Sequence, residues 1–138
     1  MAFRVEKIIR YPVKSMQGEE LDSAILTERG VPLDRGWALK QESSGNIMGA
    51  KRYGQLMHCA ARYLPETNAG SVPHAEIALP NGETIVTDDE RVNAVMSEVV
   101  GDAVSLWPLQ PADDAEHYRM TRGEDFDFEG ELRTIFAL

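Results

Sequence analysis

Apolar residues in the first ninety positions come in short runs separated by turn residues, and this pattern predicts strands. Residues 3–10 form the first run, with Val5, Ile8 and Ile9 as its apolar positions. Pro12 has no N–H to give to a ladder, so it ends that strand. Residues 21–27 follow and close on the Glu28-Arg29-Gly30 turn. Residues 36–40 come next, then a Ser43-Ser44-Gly45-Asn46 hairpin turn into Ile47-Met48, and residues 56–64 are the longest central run. Residues 67–71 read as an exposed loop. Residues 75–79 alternate with period two, and Asn81-Gly82 is a strong hairpin signal leading into residues 84–86.

The period then changes. Val92, Val95, Met96, Val99 and Val100 keep helical spacing, and Gly101 is a natural stop. Thr87 and Glu90 have the spacing of a capping box, with Asp88 and Asp89 placed favourably against the helix dipole. Residues 104–108 read as a last strand. Residues 111–127 are polar and acidic, and residues 128–138 return to helical spacing at Leu132, Ile135 and Phe136. The expected fold is mainly β (α+β). It is a small β-barrel of short, mostly antiparallel strands over residues 1–110, with one packed helix near residues 88–100. Residues 111–138 are expected to be an acidic linker and a short C-terminal helix.

Composition narrows the function. At 138 residues and 43% hydrophobic, the chain fits one domain with a real core. The single cysteine, Cys59, excludes a disulfide framework within one chain and is expected to be a buried structural thiol. The N-terminus shows no secretory signal, and no apolar run reaches the roughly 20 residues that cross a bilayer, so a reducing cytoplasm is the expected location. The net charge is −9, unevenly spread. Residues 1–63 carry 10 Lys+Arg against 7 Asp+Glu, and residues 64–138 carry 4 against 16. Such an acidic chain is a poor candidate for nucleic acid, but its positive half can hold a small anion.

Three basic clusters lie in that half, each beside a strand end: Lys14-Ser15, Asp34-Arg35-Gly36-Trp37 and Lys51-Arg52. Strand ends at one rim of a barrel come close together, so distant clusters can converge on one ligand. An ammonium and a hydroxyl side by side suit an anionic oxygen, and the fork of Arg35 matches two phosphate oxygens. Asp34 either orients a neighbouring cation or neutralises it. Trp37 is expected in the core. His58, His74 and His117 lack metal-ligand spacing, and His58, in an apolar run, is expected to be a core histidine. No nucleophile-elbow pattern supports a triad built on Ser15, and no Gly-rich loop precedes a helix.

The ordered series Tyr11-Pro12-Val13-Lys14-Ser15, Leu21-Asp22-Ser23-Ala24, Thr27-Glu28-Arg29-Gly30, Leu33-Asp34-Arg35-Gly36-Trp37 and Lys51-Arg52-x-x-Gln55-Leu56 resembles the N-terminal β-barrel domain of the MOSC (molybdenum-cofactor sulfurase C-terminal) family. Its relatives include the amidoxime-reducing components. The resemblance covers roughly the first 110 residues. It implies that Lys14, Ser15 and Arg35, with Lys51 or less directly Arg52, contact molybdenum cofactor, a pterin carrying a phosphate. It also implies that the metal-ligating cysteine belongs to a following MOSC domain, so Cys59 is not its equivalent. Three departures stand out: Lys51 where an arginine is usual, Gly49 for threonine and Gly54 for proline.

The expected function is therefore an accessory domain that gives phosphate and pterin contacts, with redox or sulfur-transfer chemistry in a MOSC domain absent from this chain. Alone, the chain is expected not to be catalytic, being a fragment or relative of a molybdenum-cofactor-dependent enzyme. Expected partners are a small anionic ligand or pterin and a MOSC-domain or redox protein, with no nucleic acid and no membrane. The alternative is a non-catalytic interaction module that keeps the barrel without the cofactor.

Overall fold

The computed structural model describes residues 2–65 and 72–118. The loop expected at 67–71, the helix expected at 128–138 and the part of the linker beyond 118 lie outside the described residues. Among the described residues, eight short strands form three antiparallel sheets. β1 (Ile8–Arg10) pairs with β2 (Glu19–Leu21). β3 (Trp37–Gln41) lies between β4 (Ile47–Met48) and β8 (Val104–Pro108). β6 (Ala75–Ala78) lies between β5 (Ala60–Tyr63) and β7 (Thr84–Val86). The described residues are mainly β with one α-helix, as expected. Among the described residues no single sheet closes into a barrel; three sheets share one core instead.

The segment between β1 and β2 joins them. Val13 bridges Trp37 and Gln17 bridges Ala60, both in parallel. Lys14 N donates to Trp37 O at 2.9 Å, and Gln17 N to Cys59 O at 2.9 Å. The stretch from Val13 to Gln17 thus ties the β3 sheet to the β5 sheet. Its inward side chains, Val13 and Met16, meet Leu39, Leu56, Cys59, Ile77 and Met96 in the core.

Helix α1 (Val92–Val100) buries Val92 and Met96 and ends at Gly101, whose φ of 74° is left-handed. It starts later than the capping box predicts. Thr87 Oγ1 is taken instead by Ala75 N (3.1 Å) and His74 Nδ1 (2.9 Å), and Asp89 Oδ1 accepts from Arg91 N at 2.8 Å in the turn before the helix. Two expected strands are shorter than their apolar patterns. Residues 3–7 and 22–26 have the composition but no ladder, and Phe3 and Leu26 are exposed. The central run divides into a 3-10 helix, Gly54–His58, and β5. That helix leaves His58 exposed, which corrects the expectation of a core histidine.

Candidate functional site

The turn after Pro12 is anchored from beneath. Pro12 and Val13 are buried, and Trp37 N donates to Pro12 O at 2.9 Å. Ser15 sits at φ 72°, and its Oγ accepts from Ala50 N at 2.8 Å. A Cβ on Gly49 would lie 2.7 Å from Ser15 Oγ and 3.1 Å from Lys14 Cε. Residues 14, 15, 49 and 50 therefore meet, although 35 positions separate Ser15 from Ala50.

Arg35 arrives from a second turn. Its N–H donates to Tyr11 O, and its guanidinium lies over the Tyr11 ring, 5.1 Å from the centroid. Asp34 does two jobs. Its Oδ1 accepts from Tyr11 N at 2.8 Å, and its Oδ2 accepts from Arg35 Nη1. The carboxylate therefore orients Arg35 and locks its turn to the first one. The Arg35 side chain stays 57% exposed, so the guanidinium N–H groups not donated to Asp34 face solvent.

This second turn is held by Tyr63, whose hydroxyl donates to Leu33 O at 2.6 Å. A Cβ on Gly36 would collide with that hydroxyl and lie 2.8 Å from Val72 Cγ1, so only glycine fits there. Burial pushes the Tyr63 phenol up to about 12. Among the described residues, the non-glycine positions with left-handed backbone are Ser15, Leu33 and Arg35. All three belong to these two turns, so the left-handed backbone is concentrated there.

Two cavities share Arg35. The first, of about 330 Å³, is lined by Tyr11, Ser15, Met16, Arg35, Ala50 and Met57. The second, of about 150 Å³, is lined by Lys14, Arg35, Trp37, Trp107, His117 and Tyr118 among others. Lys14, Ser15 and Arg35 thus flank adjoining spaces. Lys51 and Arg52 follow Ala50 on an exposed turn and line neither cavity. Arg52 contributes instead to lowering the Asp102 carboxyl, which is held down first by hydrogen bonds from Gln41 and Tyr53. Asp102 Oδ2 accepts from Gln41 Nε2 (2.9 Å) and Tyr53 Oη (2.8 Å), pinning the end of the turn that carries Lys51 and Arg52.

Trp37 is buried, as expected, with Nε1 donating to Pro73 O at 2.9 Å. Cys59 is a buried free thiol that burial pushes up, so it offers no thiolate. Among the described residues no group of three or more His, Cys, Asp or Glu could hold a metal ion, and no helix is long and apolar enough to cross a membrane. Sequence reasoning missed Tyr11 and Tyr63 as parts of the site. Tyr11 had one available signal, its place inside the first motif; Tyr63 had none.

A family model described as the MOSC N-terminal beta barrel domain matches residues 2–108. Searches among curated proteins and solved structures found no match.

Proposed function

The chain belongs to the MOSC N-terminal beta barrel domain family over residues 2–108, and from that premise we propose that it is a non-catalytic, anion-holding domain for the phosphate and pterin of molybdenum cofactor. Lys14, Ser15 and Arg35 grip the phosphate, and Lys51 and Arg52 add positive potential from the neighbouring turn. The observation that carries this reading is the meeting of two strained turns, bearing an ammonium, a hydroxyl and an oriented guanidinium, around Arg35. The donor set fits a phosphate monoester, since charge-assisted donors on a fixed frame are what such an anion needs. The gap kept open by Gly49 gives Ser15 and Lys14 their room. The methionines and the tyrosine of the first cavity fit an apolar planar body beside the charged group.

When bound, the cofactor would supply redox or sulfur-transfer chemistry, with the metal-ligating cysteine coming from a MOSC domain. This chain's residues bind and orient. Residues 1–110 are the holding domain and residues 111–138 its connecting tail, working in a reducing cytoplasm. The test is retention of molybdopterin, released from a donor molybdoenzyme, through gel filtration with the full chain, scored by pterin fluorescence. Retention by the wild type and loss in Lys14→Gln and Ser15→Ala are expected; no retention by the wild type overturns the proposal.

A second reading has one observation in its favour. Phe3, Val5, Ile25 and Leu26 are each more than three-quarters exposed, as an interaction module that had lost its ligand would leave them. Wild-type protein that ignores phosphate and molybdopterin yet elutes as a complex with a MOSC-domain protein would select it.

A further inference from the structure

Past the end of β8 the chain turns back across the second cavity. Tyr118 Oη donates to Gln110 O at 2.7 Å and accepts from Gln110 N at 3.1 Å, which closes residues 110–118 into a loop. The turns inside it are local: Asp114 N donates to Pro111 O (2.9 Å), and Asp114 Oδ1 accepts from His117 N (3.0 Å). Among the described residues no strand pairing fastens residues 110–118 to the sheet, and the His117 ring inserts against it. His117 is buried, 6.0 Å from the Trp107 ring and edge-on to Tyr118 at 4.7 Å. It forms one wall of the cavity whose rim carries Lys14 and Arg35.

Charged groups of both signs lie around that imidazole. β3 presents Lys40, whose Nζ lies 5.1 Å from the Trp107 ring centroid. Lys14 and Arg35 line the same cavity, and Asp114 is the nearby carboxylate on the loop itself. An imidazolium in that position would have little water to solvate it and would face Lys40 against Asp114, with Lys14 and the Asp34-paired Arg35 further along the same cavity. We propose that residues 110–118 are a strap that closes the second cavity while His117 is neutral and opens as a unit when His117 takes up a proton. Opening uncovers the wall that bears Lys14 and Arg35; that consequence for ligand access rests on the anion-holding reading, whereas the strap does not.

Burial, and then Lys40, hold the His117 imidazole below its ordinary value of 6.5, against an opposing pull from Asp114. The closed form therefore binds fewer protons than the open one. Closure is intact above the ordinary histidine value and weakens as pH falls below it.

Acrylamide quenching of tryptophan emission in the full chain reads the strap directly. Trp37 is buried and shielded from the quencher, while Trp107 is 42% exposed and has the His117 ring 6.0 Å from its own, so release of the strap exposes it further. Quenching is expected to rise between pH 7.5 and 5 with far-ultraviolet circular dichroism unchanged. His117→Phe keeps a ring in place and loses the transition. Tyr118→Phe gives up the pair of bonds to Gln110 and moves the transition up by about 0.4–1 pH unit. Quenching that is flat with pH, a transition that persists in His117→Phe, or one that coincides with loss of circular dichroism would each overturn the strap. No anion is needed for this readout, so failure of phosphate binding leaves it intact.

Discussion

Adding one methyl group at Gly49 separates the site from the fold. The new Cβ would stand 2.7 Å from Ser15 Oγ, 3.1 Å from Lys14 Cε and 3.6 Å from Lys14 Nζ. Gly49 does not use the left-handed backbone, so alanine can adopt its conformation. The smaller unfolded ensemble then favours alanine by about 0.4–1 kcal/mol. The lysine end is flexible and swings away cheaply. The serine hydroxyl cannot rotate without dropping the Ala50 N–H, a loss of about 0.5–1.5 kcal/mol. The two terms nearly cancel, and Gly49→Ala is expected within about 1 kcal/mol of wild-type stability by urea denaturation. Binding should not cancel. Both Lys14 and Ser15 are displaced, and a contact to a charged group is worth about 1.5–3 kcal/mol, so phosphate affinity by calorimetry should fall at least about tenfold. Gly54 is the control: its Cβ would meet nothing within 4 Å, so Gly54→Ala should bind normally and be slightly more stable. Gly49→Ala that binds phosphate as well as wild type would refute the geometry.

Three further outcomes follow from the same frame. Tyr63→Phe removes the bond to Leu33 O and should cost about 1–2 kcal/mol in urea denaturation. Because the folded phenol titrates at about 12 rather than 10, the fold is favoured while Tyr63 stays protonated. Wild-type stability should fall by about 2–3 kcal/mol from this group as pH rises from 10 to 12, and Tyr63→Phe should lack that component. Asp34→Asn keeps an oxygen for the Tyr11 N–H but loses the charge that orients Arg35, so phosphate affinity should drop; a rise would mean that Asp34 merely neutralises its neighbour. Cys59 should resist an aromatic disulfide reagent in native protein and react on unfolding, and rapid native labelling would contradict its burial.

Local signals were legible wherever one short segment decides the outcome. Asn81-Gly82 makes its hairpin with Gly82 at φ 88°, Gly101 stops the helix, and β3 buries alternate residues at Trp37, Leu39 and Gln41. Signals failed where a distant partner competes. Thr87 had the spacing of a cap, but His74 and the Ala75 N–H claim its hydroxyl. Residues 3–7 had strand composition but no continuing ladder. His58 lies in an apolar run, yet the 3-10 turn carries it outward. The site shows the same division. Lys14, Ser15 and Arg35 stand out by residue type and place. The clasp of Asp34 on Tyr11 and the support of Leu33 by Tyr63 span 23 and 30 positions, which no periodicity encodes. Lys51 and Arg52 looked equivalent to the others by composition, and only the course of the turn sets them apart from the cavity walls.

The central claim is that three groups on two strained turns hold one anion, and calorimetric titration of inorganic phosphate into the full chain tests it most directly. Wild type should bind at a single site, Arg35→Ala should bind about 10- to 150-fold more weakly, and Arg29→Ala, on an exposed turn that lines neither cavity, should match wild type. An absence of binding in wild type, or equal weakening by the two arginine variants, would contradict it.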